Sequence, residues 1–373
     1  MAIDFQNSTP LYVQIIDDIK NKIDSGELKI GDKLASHKKL ADEYDVSVIT
    51  IKGALSSLID EDILYSRVGK GTFVKHNTNN SHPQNGLGSV KSIGLVLGDL
   101  KDPFFALIAH HVEETCYESG FNLLLSNTSN KAEKEEKQIQ HLKELGVNGL
   151  IIATSSKKPF APEIISKLHH EGFPYMVISY VSDQQIWHVG TNHELGAYMA
   201  TEHLIKLGHT KIGYINTRKE NALGDVRLNG LKRALKDHSL TYHKRYMLRL
   251  TQPVSTKGYR PGYELGDRFY QMNDKPSAFF CYDDASAIGL ITRLNELGYS
   301  VPGDVAVVGF DDIEQASYFK TPLTTIHQPL EKIGNKATEY LIERIEGENP
   351  PIRTIFKPTL VIRNSCGAVL KTS

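Results

Sequence analysis

Cysteine is scarce: three residues in 373, at positions 116, 281 and 366. So few, odd in number and far apart, they argue against a disulfide framework or a zinc motif and fit a reducing compartment. An excess of one charge is also missing, since 43 Lys and Arg face 44 Asp and Glu, a net of -1. A chain basic throughout is excluded; a small nucleic-acid-binding part is not. No apolar run approaches the roughly 18 residues of a membrane span, so no membrane partner is expected. The opening MAIDFQNSTP brings acid and amide early with no apolar stretch behind them. No secretory leader is expected, and the cytoplasm is the expected location. Catalytic signatures are absent as well: there is no GxSxG, no Walker loop, no GxGxxG after a strand and no HExxH. His110-His111 and His169-His170 are neighbours in helical stretches, where adjacent side chains diverge by about 100°. They make poor metal pairs, and no catalytic residue, metal or cofactor is expected.

What is present is ordinary globular usage, 40% hydrophobic and 23% charged, which excludes disorder. The length suits two or three domains. Residues 1–76 stand apart from the rest. Leu11, Ile15, Ile19 and Ile23 recur every four residues, the mark of an amphipathic helix that stops near Ser25-Gly26. Ser36 is a candidate N-cap for a second helix carrying Leu40, Ala41 and Tyr44, and Ser47 for a third carrying Ile51, Ala54, Leu55, Leu58 and Ile59. Leu64–Arg67 and Thr72–Val74 around a glycine turn read as a hairpin. Three helices and a hairpin are the layout of a winged helix-turn-helix. Residues 77–91 have no periodicity and are rich in Asn, Ser and Gly, the composition of a flexible linker. From residue 92 to 373, apolar runs alternate with helical stretches: Ile93–Leu97, Phe121–Leu125, Gly149–Ala153, Tyr175–Ser179, Ile212–Ile215, Ala278–Cys281 and Val305–Phe310. That rhythm predicts an α/β body with parallel sheet, large enough for two lobes, with ligands at the carboxyl ends of strands.

Residues 10–74 resemble the GntR-type winged helix-turn-helix. The words are Pro10–Ile15, Ser25–Leu28, Gly31–Leu34, Leu40-Ala41, Val46-Ser47 and Gly69–Val74, in order over 65 residues. The resemblance implies operator DNA as partner, with the third helix in the major groove and the hairpin turn at the minor groove. Lys38, Ser47, Val48, Thr50, Lys52, Gly69, Lys70 and Gly71 would then face DNA. Two departures bear on the operator. Val48 stands where the family commonly has arginine, so a thymine methyl replaces guanine as its natural contact. Ser36-His37-Lys38 replaces the commoner Ser-Glu-Arg. The head holds ten bases and twelve acids, a net of -2, so modest non-specific affinity and dependence on dimerisation are expected.

Residues 92–367 resemble the effector domain of the LacI/GalR repressors, itself similar to periplasmic sugar-binding proteins. The words include Asp102–Phe105, Gly146–Ile151, His203–His209, Arg227–Gly230, Val301–Asp312 and Leu323–Pro329. The resemblance implies a small-molecule sugar effector held by Phe105 as an apolar wall and by Arg227, Asp283 and Asp311 through hydroxyls. Charged planar groups suit vicinal diols because each fork bonds two oxygens. Asp283 and Asp311 follow apolar strands, so helix capping is the competing role. Thr191-Asn192 replaces a common Asp. Two acids and no basic cluster favour a neutral monosaccharide over a phosphorylated ligand. The expected protein is a two-lobed periplasmic-binding-protein-like body with an N-terminal winged helix-turn-helix. It would be a homodimeric repressor of carbohydrate-utilisation genes, of the arabinose-repressor type, released by sugar. The alternative is a metabolic α/β enzyme fused to a DNA-binding domain, with Asp283 and Asp311 as its acid–base set.

Overall fold

A computed structural model describes residues 10–29, 31–60, 63–67, 71–75, 91–154, 163–216, 222–250 and 258–368. The chain divides into two compact units, 1–89 and 90–373. Gly69 and Lys70, and all of the 77–91 segment except Lys91, lie outside the described residues.

In the head, α1 (Leu11–Asp24) buries Ile15, Ile19 and Ile23, the residues its four-residue spacing stacks on one face. Gly26 follows the helix at φ +77°, a conformation glycine enters without strain. The hydroxyl of Ser36 caps α2 (His37–Tyr44) by accepting from the Lys39 N–H at 3.3 Å. Ser47 does the same for α3 (Val48–Asp60), accepting from the Thr50 N–H at 3.1 Å. Each cap satisfies a backbone donor the helix itself leaves unpaired. Asp45, at φ 53°, closes α2 and turns the chain toward α3. β1 (Leu64–Arg67) and β2 (Gly71–Val74) pair antiparallel, Leu64 opposite Val74 and Arg67 opposite Gly71. One polar cluster enters this core. Asp18 accepts from the Tyr44 hydroxyl at 2.7 Å and pairs with Lys22 at 2.8 Å. Burial pushes the Asp18 carboxyl up, but the bonds from Lys22 and Tyr44 outweigh it and hold the pKa at about 2.

The body has two lobes, each a six-stranded sheet. The first contains β3 (Ser92–Leu97), α4 (Pro103–Glu118), β4 (Asn122–Asn127), α5 (Ala132–Glu144), β5 (Gly149–Thr154), α6 (Glu163–His170), β6 (Tyr175–Ser179) and β7 (His188–Thr191). The second contains α7 (His193–Lys206), β8 (Ile212–Asn216), α8 (Ala222–Asp237), β9 (Met247–Arg249), α9 (Arg260–Tyr270), β10 (Ala278–Cys281), α10 (Asp284–Glu296), β11 (Ala306–Asp311), α11 (Glu314–Tyr318) and β12 (Thr324–His327). The chain then returns to the first lobe for α12 (Leu330–Ile345) and β13 (Arg353–Phe356), and ends with β14 (Thr359–Val361) in the second. The sheet orders are β13-β7-β6-β5-β3-β4 and β14-β12-β11-β10-β8-β9. All pairs are parallel except β14 on β12. Helices cover both faces, so the inner strands are continuous apolar runs such as Ser-Ile-Gly-Leu-Val-Leu, buried at every position.

Three crossings therefore join the lobes: residues 192, 328–329 and 357–358. α9 packs on α10 through Gly262 and Gly289, where a Cβ would run into the Ser286 and Tyr259 carbonyls. Asp284, wholly buried, ties α10 to the strands beside it. It accepts from the Thr325 hydroxyl at 2.5 Å and from the Ile313 N–H at 2.9 Å, under Gly309, which has no side chain to obstruct it. Burial pushes its carboxyl up to about 7.

The sign of the resulting pH dependence follows directly. The folded chain keeps a proton on Asp284 that the unfolded chain has released. The stability this contributes is full below the ordinary carboxylate pKa near 4 and is lost as pH rises through about 7. Asp284→Asn removes the titration. Between pH 5 and 8 its stability should gain about 2–3 kcal/mol on the wild type. Urea unfolding of both chains at the two pH values measures this; parallel pH dependence would contradict it.

Candidate functional site

The carboxyl ends of β8, β10 and β11 converge near two of the lobe crossings. Arg227, six residues into α8 and 2% exposed, is held among them. Its Nη1 donates to the Tyr282 carbonyl and its Nη2 to His193 Nδ1 at 3.3 Å. Asp311 Oδ1 lies 3.6 Å from Nη2. The guanidinium is flanked by the Phe310 ring, 3.6 Å to its centroid, and the Tyr282 ring, 4.6 Å away. Stacking on aromatic faces suits a planar, weakly hydrated cation and explains how it tolerates burial. Among the described residues, Arg227 Nε and Thr191 Oγ1 are buried polar atoms with no hydrogen-bond partner.

Asp311 completes the pair. Gln328, 2% exposed on the second crossing, donates to its Oδ1 at 2.7 Å. Burial pushes the Asp311 carboxyl well up; Arg227 opposes this, while Asp284, Asp283 and Asp102 add to it. Asp102 caps α4 in the first lobe, so its field reaches Asp311 from the other lobe. The backbone here is unusual: Asp311 has φ 116° and Asp312 φ 60°. Consecutive non-glycine residues at positive φ cost about 1–3 kcal/mol each and concentrate at functional sites. Asp312 points elsewhere, to Arg363 at 2.7 Å and His327 at 3.1 Å.

The other two residues expected at the effector site are held differently. Asp283 is the N-cap of α10, its Oδ1 accepting from the Ser286 N–H at 2.7 Å and from the Ser286 hydroxyl. The capping role that competes with ligand binding is thus occupied on one oxygen. Phe105 is 4% exposed, packed in the first lobe's core with its ring over Gly98, where a Cβ would lie 2.7 Å from Phe105 Cζ. His193, Tyr282 and Gln328 join the cluster without having been singled out in the sequence. The signals available were Thr191-Asn192 at a departure from the family pattern and His327-Gln328-Pro329 within a quoted word.

In the head, Lys38, Ser47, Val48 and Lys52 are exposed around α2 and the start of α3. Among the described residues neither Lys38 nor Lys52 is in a hydrogen bond or ion pair, so both ammonium groups are available to an anion. Thr50 is half-buried, and its hydroxyl lies 2.8 Å from that of Ser47. Ile49, not among the residues singled out, is 82% exposed beside Val48, at 39%. Gly71 has φ +113°, and the Lys33 stem lies 2.7 Å from where its Cβ would be, so no other residue fits without strain. Among the described residues no helix is long and apolar enough to cross a membrane.

Residues 11–74 match the bacterial regulatory proteins of the gntR family, and residues 201–366 the periplasmic binding protein-like domain. The chain is 32% identical over 372 residues to the arabinose metabolism transcriptional repressor of Geobacillus stearothermophilus, covering 96% of this chain and 98% of that one. It is 34% identical over 279 residues to the HTH-type transcriptional repressor PurR of Vibrio vulnificus, covering 74% and 81%. A LacI family transcriptional regulator from Enterococcus faecium, solved with bound ribose, superposes with a TM-score of 0.64 at 27% identity, over 74% of this chain and 98% of that one. These relatives are regulators, not enzymes. A GntR-type head followed by a LacI-type body, matched end to end by a curated repressor, makes this chain a DNA-binding transcriptional repressor of the family that joins these two domains.

Proposed function

We propose that a neutral monosaccharide enters the cleft between the lobes and releases the repressor from its operator. The observation that carries this is the buried Arg227–Asp311 pair with a donor to spare. A guanidinium whose Nε has no partner among the described residues, 3.6 Å from a carboxylate, offers a donor and an acceptor side by side. Vicinal hydroxyls, each both donor and acceptor, match that pattern. Phosphate does not, because Asp283 and Asp102, whose fields reach Asp311, would repel it. Two relatives, one a repressor of arabinose metabolism and one solved with bound ribose, point the same way.

On the DNA side, Lys38, Lys52 and Lys70 meet phosphates or base edges, Val48 and Ile49 meet thymine methyls, and Gly69 and Gly71 bring backbone close. Ser47 and Thr50 contribute chiefly by fixing the start of α3. The chain works in the cytoplasm as a homodimer, because two heads are needed to read a two-half-site operator. A pocket of about 590 Å³ on the second lobe, lined by Tyr259, Ile288, Thr292, Glu314, Gln315, Tyr318 and Phe319, offers a surface for the second copy. Its Tyr318 is 82% exposed in the single chain.

A thermal-shift screen of monosaccharides, arabinose and ribose included, tests the reading on the full chain. A ligand at 100 times its Kd adds about 2.7 kcal/mol. One sugar should raise the melting temperature of the wild type, and Arg227→Gln and Asp311→Asn should each lose the shift. No shift with any sugar, or an undiminished shift in both variants, would refute it.

A further inference from the structure

We propose that His110, His111 and Glu114, on one turn of α4, form a binding site for a divalent transition-metal ion of the zinc type. The proposal is independent of the effector reading, since none of the three belongs to that cluster. Two adjacent histidines diverge by about 100° around a helix and make a poor pair by themselves. Glu114 joins them. It follows His110 by four residues and His111 by three, so at about 100° per residue its side chain falls between the two rings. The side chains meet accordingly. Glu114 Oε2 lies 3.5 Å from His110 Nε2 and 3.5 Å from His111 Nδ1. The three ligand atoms are all within 4.8 Å of one another, and the ring centroids are 5.0 Å apart.

These separations suit a shared cation better than hydrogen bonds. An N–H···O bond spans about 2.7–3.2 Å, shorter than either contact. Ligands about 2.1 Å from a tetrahedral zinc stand roughly 3.4 Å apart along each edge. Two of the three edges have that length already, and the exposed His110 ring can turn to close the third. His111 has less freedom. It is half-buried, and its Cβ abuts Gly334 of α12, where an added Cβ would come within 2.8 Å of it. One ligand is thus fixed by packing and the other two adjust to it. Among the described residues, the three side chains have only one another as ionic or hydrogen-bonding partners. Two imidazoles and a carboxylate favour zinc, nickel or copper, whereas calcium and magnesium require a shell of oxygens. Three ligands leave a fourth position for water, as in open zinc sites.

The test is calorimetric titration of zinc chloride into the full chain, free of any affinity tag and stripped of metal by chelator. The wild type should bind zinc at this site. Glu114→Gln keeps the side-chain shape and removes the charged ligand; His110→Ala removes an imidazole. Each should weaken zinc binding by at least the roughly 10–100-fold that loss of even an outer-shell partner costs. Both positions are exposed, and circular dichroism verifies that the variants fold. His170→Ala, from the other adjacent pair, should bind zinc as the wild type does; the His170 ring lies 2.7 Å from the Ser166 carbonyl. Calcium chloride in place of zinc should give no binding that the Glu114 variant loses. A wild type that takes up no zinc, or equal zinc affinity in the wild type, Glu114→Gln and His110→Ala, would overturn the proposal. The second result would mean adventitious surface binding only.

Discussion

A desolvated guanidinium sets the terms for the body of this protein. Removing a cation from water costs several kcal/mol unless acceptors and π faces replace the lost hydration. Arg227 receives a carbonyl from Tyr282, an imidazole nitrogen from His193, two ring faces and a carboxylate at 3.6 Å. Those partners come from the residue after β10, from α7 and from β11, and the carboxylate is braced in turn from the crossing before α12. The strained backbone at Asp311 is consistent with that demand: it aims one carboxylate at Arg227 and the next, Asp312, at Arg363. The set is nearly complete but leaves Nε without a partner among the described residues. If the proposed effector binds here, a site so close to satisfaction in the free chain is preorganised and leaves little to order.

The head obeys a different constraint. Its net charge is unfavourable for DNA, so affinity depends on where charges lie and not on how many there are. The acid most deeply placed, Asp18, is neutralised locally by Lys22 and Tyr44. The turn between α2 and α3 is rigid because Ser47 caps α3 and Asp45 takes a left-handed conformation. What projects from the start of α3 is apolar, Val48 and Ile49, with Lys52 one turn on. A face of that kind offers methyl contacts, which are weaker than a bidentate arginine, and in the proposed homodimer two such faces would add up on one operator.

Much of this was legible in the sequence, for a physical reason. Parallel strands buried on both faces are unbroken apolar runs, and Tyr175–Ser179 and Ala278–Cys281 match residue for residue. The short strands β7, β9, β12, β13 and β14, three or four residues each and rich in His, Thr or Arg, carry no such run. Both N-caps of the head were legible because capping is a local hydrogen bond. At the candidate site, Arg227 and Asp311 stood out through resemblance, and the geometry brings them together. Asp283 left capping and binding open, and one of its oxygens is used for the cap. His193 and Gln328 lay beside or within words of the resemblance, but nothing local marked them as partners of the pair, since only the lobe crossings bring residues so distant in sequence together.

If cleft and head belong to one equilibrium, linkage requires the operator to weaken sugar binding by the same factor as sugar weakens operator binding. Calorimetric titration of arabinose into the full chain, alone and saturated with operator duplex, measures that reciprocity directly. Joined sites predict a higher sugar Kd in the presence of operator, by the factor seen in sugar-induced release. Equal sugar affinities in the two titrations, alongside release of DNA by the same sugar, would contradict it.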